Sequence, residues 1–466
     1  MPPILASFLT IGFMSWLFWR DFRERPNVTS ALWIPIIWMF IITTRPVSKW
    51  LGIFGVPGFG GATLEEGNLL DVLVCLGLMA AGASVLAKRQ INLSKVIRDN
   101  GWLVAFILFC FISISWSDYP LTAFKRWIKI LGHPIMVLII FTEPDPKEAL
   151  LRLMKRCAYV LLPVSILWMK YYSYLGRKHD EFGGMTNCGI TGGKNILGIM
   201  SCLLGLFFLW HLFQVWRAEK SRARWRELQL VLGLLLLTAY CLLKSHSATS
   251  DISLIVGTMI MVFLGLRFVN KRLITAYAVT VVLILLMAQL TFDIYGKIVD
   301  LSGHESTLEG RGVLWGQLLR FGTNPLFGVG FETFWMGDNL VKLKEGRPWQ
   351  PNEAHNGYIE IYLDGGIVGL LLLAGVVFAA YRKIRRDLVH NFEWGRVQLA
   401  CLVVLLAHSW TEAGFRGLSL PFFVFFIIAT DYPWSRIPSS APTFERTSSE
   451  WNRELVYSEG MVEGAG

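Results

Sequence analysis

The chain has 466 residues, 54% of them hydrophobic and 17% charged, with a formal charge of +10 and a mean hydropathy of +0.48. Soluble domains carry about one quarter charged residues, so this composition excludes an ordinary multidomain cytosolic enzyme, along with disordered, collagenous and disulfide-framework classes. The apolar residues gather in runs that suit the ~17–25 residues a helix needs to cross a hydrocarbon core. The chain reads as an all-α polytopic membrane protein.

In chain order the runs fall at about 4–19, 31–44, 69–87, 101–116, 127–142, 157–171, 195–215, 228–243, 252–268, 273–291, 366–381, 397–411 and 417–430. They predict about 12–13 transmembrane helices, the second run being shorter than a usual span. The first run has no basic stretch before it and reads as a retained helix, not a cleaved signal. Alternate loops hold most of the positive charge: Arg20/Arg23/Arg25, Lys88/Arg89/Lys95/Arg98, Lys147/Arg152/Lys155/Arg156, Arg217/Lys220/Arg222/Arg224/Arg226, Arg267/Lys271/Arg272 and Arg382/Lys383/Arg385/Arg386. By the positive-inside rule these face the cytoplasm, which accounts for the charge without nucleic acid. Six of the seven cysteines lie in apolar runs and Cys188 stands alone in a loop, so no disulfide is implied.

This phase makes residues 1–435 one multi-pass membrane domain, with a Ser/Glu/Pro-rich, disordered cytoplasmic tail at 436–466. The outside loops are 45–68, 117–126, 172–194, 244–251, 292–365 and 412–416. The loop 292–365 far exceeds usual connections, and its Trp, Phe and Gly content reads as folded. Within it GRGVLWGQLLRFG (310–322) has the spacing of a short amphipathic helix, with Val313, Leu314, Leu318 and Phe321 as its stripe and Trp315 at the membrane interface.

Four outside clusters hold polar groups that a plain connection does not need. Gly192-Gly193-Lys194-Asn195 leads straight into an apolar run, which puts free N–H groups and a lysine at a helix N-terminus, an anion site or simply a glycine turn. Its spacing is not that of a Walker loop. KSHSATSD (244–251) offers Lys244 and His246 to an anion; snorkelling by Lys244 and capping by Ser250 or Asp251 explain the same residues. Arg311, between two glycines, has a fork that matches phosphate oxygens, whether of a substrate or of a lipid headgroup. In EAHNGYIE (353–360), His355 can take up a proton near neutral pH, and Glu353 and Glu360 are near enough to orient it or act themselves. Helical geometry would place His355 with Ile359 on one face and Asn356 with Glu360 on the next.

Metal ligation finds little support. No paired-histidine spacing occurs on the outside face, Glu143-Pro-Asp145 lies in an inside loop, and Glu65-Glu66 is isolated. A Ser245–His246–Asp251 hydrolase lacks a nucleophile elbow.

Taken together, GGKNILG (192–198), GRGVLWGQLLRFGTNPLFGVGFETFW (310–335) and EAHNGYIEIYLDGGIVGLLLL (353–373), in this order around a long outside loop, resemble the O-antigen ligase and Wzy-type polymerase superfamily, in its ExoQ-like exopolysaccharide-production branch. The resemblance covers about 175–415. It implies glycan transfer from an undecaprenyl-diphosphate carrier to an acceptor hydroxyl on the periplasmic face of a bacterial inner membrane, with no metal or other cofactor. It implies that Arg311 binds diphosphate and that His355 helps deprotonate the acceptor, with Glu360 as the alternative base. Asn356, Glu353 and Asn195 are then candidates for positioning the acceptor. Where ligases carry a Ser-Arg-Gly turn this chain has Ser-His-Ser-Ala-Thr-Ser (245–250), so the second cation is either Lys244 or His246, or Lys194 and Arg177. That departure favours a polymerase over a ligase acting on lipid A-core. Expected partners are the lipid-linked donor, a glycan acceptor and the bilayer, with a flippase, a chain-length regulator and export proteins as candidates and no nucleic acid. A transporter would need ionisable groups near the bilayer midplane, where these runs carry almost none.

Overall fold

The computed structural model describes residues 1–56, 68–179, 184–270, 273–274, 277, 305–344 and 352–432. Most of the apolar run 273–291, Glu65-Glu66, the first part of the long loop up to 304 and the 436–466 tail lie outside the described residues. The architecture is all-α, with one two-stranded antiparallel ribbon, β1 (Arg177–His179) and β2 (Met185–Asn187).

The helices are α1 (Pro3–Arg23), α2 (Trp33–Thr43), α3 (Val47–Ile53), α4 (Leu69–Lys88), α5 (Leu93–Asp99), α6 (Gly101–Ile112), α7 (Pro120–Ile130), α8 (Gly132–Phe141), α9 (Pro146–Tyr171) and α10 (Ser173–Gly176). They continue with α11 (Lys194–Arg217), α12 (Arg222–Ser245), α13 (Ala248–Gly265), α14 (Glu305–Leu319), α15 (Gly337–Lys344), α16 (Gly357–His390), α17 (Phe392–His408) and α18 (Leu420–Ala429). Among the described residues six helices are long and apolar enough to cross a membrane, and eight if two bent pairs each count as one span. The count covers the described residues alone, and some of the apolar runs within them are broken or short. The run 127–142 is split between α7 and α8, and α18 has ten residues. Pro46 bends α2 against α3 by 69°, and the chain turns by 93° at Asn100 between α5 and α6. Asn100 fixes that corner by exchanging hydrogen bonds with the Asp431 backbone, at 3.0 and 2.7 Å.

The longest helix is also broken. Gly366 in α16 has φ +61° and ψ −159°, a conformation open to glycine. In an intact helix the amides of Ile367 and Val368 would donate to Leu363 and Asp364. Here they donate to Pro325 O and Leu326 O, at 2.9 and 3.1 Å, while Leu363 O and Asp364 O accept from Val329 and Gly330. The segment 325–330 is thus stitched into the break and satisfies these four backbone groups. A Cβ on Gly366 would lie 2.2 Å from Leu326 C, which explains the glycine. This stitch anchors the long loop, and a small core of Leu314, Leu318, Phe334, Trp335, Leu343, Ala354 and Leu363 holds α14 over it. One expectation for α14 changes. Val313 is 62% exposed rather than part of the stripe, and the Trp315 expectation gains a detail, since its indole N–H donates to Ala354 O at 2.8 Å.

At one end of the bundle α1, α9, α11 and α12 share a buried ion network. Arg152 meets Asp21, Glu24 and Glu148 at 2.6–2.7 Å, and Arg156 meets Asp21 at 2.8 Å. Glu227 takes Lys155 at 2.5 Å and His211 at 2.8 Å. Chain direction puts the start of α11, the end of α12 and the loop after α17 at the opposite end, and there the predicted site residues collect.

Candidate functional site

The site is organised by the short loop between α17 and α18. The amide of Gly357, first residue of α16, donates to Ser409 O and Glu412 O at 2.7 and 3.0 Å, which docks the start of that helix on the loop. From this loop the Glu412 side chain reaches three separate elements. Its Oε1 accepts from Asn195 Nδ2 at 2.7 Å and from Arg311 Nη2 at 3.2 Å, while its Oε2 lies 3.4 Å from His355 Nδ1. Arg311 also donates to Thr411 O at 3.0 Å, and Thr411 is joined by its hydroxyl to Thr249 at 2.9 Å. Loops far apart in sequence therefore converge on one carboxylate.

His355 precedes α16 rather than riding on it. Its φ is +49°, a left-handed conformation uncommon outside glycine, so the face shared with Ile359 does not exist. Asn356 is buried and caps the helix, accepting from the amides of Tyr358 and Ile359 at 3.0 and 3.1 Å. Glu353 lies 3.1 Å from His355 Nδ1. Glu360 points elsewhere. It is 1% exposed and accepts from Trp335 Nε1 at 2.9 Å and from the Ala354 amide at 2.5 Å, with Arg416 3.8 Å away. Its carboxylate fastens the loop that presents His355.

The charges are unequal in their fates. Burial presses His355 toward the neutral form, yet the Glu412 hydrogen bond and the charges of Glu353 and Glu412 carry its pKa above the ordinary 6.5. Burial also works against the Glu412 carboxylate, but His355 and Arg311 bring it below the usual range. Burial raises Glu353, with His355 opposing. The donor atoms of Glu353, His355 and Glu412 lie within 4.8 Å of one another, a spacing that the sequence did not foretell and that would suit a divalent ion. The Arg311 guanidinium already balances Glu412, and we read the group as an ion-pair cluster.

The remaining predicted cations are placed differently. Lys194 opens α11 beside Asn195, half-buried, as the glycine turn implied. Arg177 is tied by Nε to Met169 O at 3.1 Å. Lys244 is exposed over the Tyr240 ring, and His246 is an exposed left-handed residue ending α12. Ser250 pairs with Ser247 at 3.0 Å, and the resulting tight turn admits Gly198 of α11, whose Cβ would lie 2.6 Å from Ser250 Oγ. Two cations that sequence reasoning missed brace the turn before Lys194: Lys178 donates to Gly192 O at 2.6 Å, and Arg45 to Leu175 O at 2.8 Å and Thr191 O at 3.3 Å. Glu412 was missed as well. Its only sequence signal is an acidic residue in a five-residue outside loop.

Residues 232–374 match the family model described as Wzy_C, O-Antigen ligase. Over 302 residues, 60% of this chain, the sequence is 31% identical to the exopolysaccharide production protein ExoQ of Rhizobium meliloti (strain 1021). The match spans 64% of that relative's length, less than two thirds. Arg311, Glu353, His355 and Glu360 fall inside the family match, and Asn195 and Glu412 outside it. Residues 232–374 are thus similar to the O-antigen ligase family, and the resemblance of the chain to the ExoQ-like branch of that superfamily is borne out.

Proposed function

We propose that this chain is a membrane glycosyltransferase that polymerises undecaprenyl-diphosphate-linked oligosaccharide repeats into exopolysaccharide, at the periplasmic face and without a metal. One observation supports this reading above others: Arg311 and His355, the cation and the base that such a reaction requires, meet on the same carboxylate. The acceptor hydroxyl oxygen attacks the anomeric carbon, and the bond from that carbon to the diphosphate oxygen breaks with its electron pair leaving on the diphosphate. Arg311, with Lys194 at the start of α11, stabilises that charge. His355 takes the hydroxyl proton as the bond forms, and the proton then passes to the departed diphosphate. The name of the matched relative, an exopolysaccharide production protein, supports exopolysaccharide as the product class. The family description equally supports a ligase, in which lipid A-core is the acceptor.

The test is purified protein in liposomes with undecaprenyl-diphosphate-linked oligosaccharide isolated from cells lacking this protein. Longer glycans with no added lipid A-core support polymerisation; product only after lipid A-core is added means ligation. Cysteine introduced at Gly316, which has open space around it, should label from outside the membrane, whereas cysteine at 217–226 should not. Labelling of both from one side would refute the periplasmic placement.

A further inference from the structure

We infer that the apolar groove between α16 and α17 holds the polyprenyl chain of the lipid-linked donor, its mouth at Trp410 and Tyr358 leading to the diphosphate at Arg311. This rests on the transferase reading above and places the part of the substrate that the polar site leaves over. The groove exists because α16 doubles back at Gly366. A Cβ on Gly369 would lie 3.3 Å from Ile361 O, although eight residues of continuous helix span ~12 Å. Tyr358, in the first turn, is thereby brought beside Leu373, Ala374, Val377 and Phe378, and with Leu406 of α17 they line a space of about 510 Å³. Leu373 is buried beneath it, and the small, exposed Ala374 makes the hollow. The Tyr358 hydroxyl is spent on Leu406 O at 2.9 Å, so this end of the lining offers its ring.

An apolar hollow alone would suit any acyl chain; its mouth selects this one. Trp410 is 55% exposed and packs on Tyr358 with ring centroids 6.2 Å apart, and edge-on to Trp315 at 6.5 Å. Trp315 stands one helical turn after Arg311 on α14, and Arg311 donates at 3.0 Å to the carbonyl of Thr411, the residue after Trp410. An amphiphile whose anionic head lies on the Arg311 guanidinium therefore meets Trp410 and then Tyr358 as its next surfaces. Beyond them the groove follows α16 over 370–381, ~16 Å, toward Arg382, Arg385 and Arg386. Inside a bilayer such a chain gains little hydrophobic free energy on leaving the surrounding lipid. The groove must act by close packing, which one oversized side chain undoes.

The decisive variant is Ala374→Trp, which fills the hollow from an exposed position and so spares the fold. With undecaprenyl-diphosphate-linked oligosaccharide in liposomes its KM should rise roughly tenfold while kcat moves little. A donor carrying the same oligosaccharide on a two-isoprene diphosphate, whose chain ends near the mouth, should show no change. Leu371→Trp, at a residue 64% exposed on the same helix but outside the groove, should behave as the wild type with both donors. Equal losses with the two donors, equal losses in the two variants, or no loss in Ala374→Trp would overturn the proposal.

A second readout needs no turnover. Undecaprenyl diphosphate with a photoactivatable diazirine in its chain is irradiated with the wild-type protein in liposomes, and labelled peptides are identified by mass spectrometry. Adducts should fall on 370–381 and on Trp410, disappear with excess unlabelled undecaprenyl diphosphate, and be lost from 370–381 in Ala374→Trp. Competition by phosphatidylglycerol as strong as by undecaprenyl diphosphate means a groove for ordinary lipid, and adducts confined to other helices put the chain on another face; either result refutes the proposal. If the wild type elongates no glycan, the transferase reading fails, and the labelling alone still decides whether the groove takes a polyprenyl diphosphate.

Discussion

The two ends of this bundle use buried charge in opposite ways. At the end holding Asp21, Arg152, Arg156, Lys155 and Glu227, acids and bases close onto one another at 2.5–2.8 Å and join four helices. At the other end Glu412 is divided among Asn195, Arg311 and His355 at 2.7–3.4 Å, drawn from three distant segments. Along α11 the two arrangements are about 24 Å apart, from Asn195 to His211 at ~1.5 Å per residue. Charge taken out of water must be compensated either by protein or by substrate. The first network joins helices along their length, whereas the second gathers a helix start, the loop before α16 and the loop after α17 on one carboxylate.

The contrast can be broken most directly at His355. His355→Ala should lower polymer formation by ~100- to 10,000-fold at normal protein level, whereas Glu360→Gln should chiefly reduce the amount of folded protein, because Glu360 secures the Trp335 and Ala354 N–H groups. Wild-type rates in His355→Ala would put the site in the structural class. Arg311→Lys comes next. The fork is lost while the charge remains, and at ~1.5–3 kcal/mol for a charged hydrogen bond the rate should fall roughly ten- to a hundredfold. Near-normal turnover would leave Arg311 a point charge.

Asp21→Asn tests the closed end. It strips Arg152 and Arg156 of a shared partner, and breaking a buried pair costs ~3–5 kcal/mol. Thermal unfolding in detergent should shift downward while activity per folded molecule stays the same; a specific loss of activity would join the two ends functionally.

A subtler comparison uses pH. The raised pKa of His355 means that the neutral, base-competent form grows only as pH climbs through a value above 6.5, so the acid limb of kcat/KM should lie above that point. Glu353→Gln should move the limb to lower pH, because a carboxylate that favours the imidazolium is gone. Substitutions in the Asp21 network should leave it in place. The smallest effect expected is none at all: excess EDTA should not change the rate if Arg311 does the work of a metal. Loss of activity restored by one divalent ion would make Glu353, His355 and Glu412 its ligands instead.

Local chemistry determined what the sequence could announce by itself. Apolar runs and alternating basic loops were enough for an all-α membrane bundle, because a bilayer admits few other solutions. The glycine turn before Lys194 and the Arg311 and His355 motifs were legible because their residue types and flanking glycines are local signals. Tertiary structure decided the rest. The run 127–142, which hydropathy reads as continuous, is split between α7 and α8, Pro46 and Asn100 turn the chain just outside two apolar runs, and residues 325–330 supply the hydrogen bonds missing at the Gly366 break. Glu360, which the sequence reading held near enough to orient His355, is drawn away by Trp335, while Glu412, 57 residues from His355, becomes its neighbour. Nothing in a short loop's composition tells which carboxylate will be enclosed. That depends on which donors the folded chain brings within reach once water is excluded, and those donors come from Asn195, Arg311 and His355 on three distant segments.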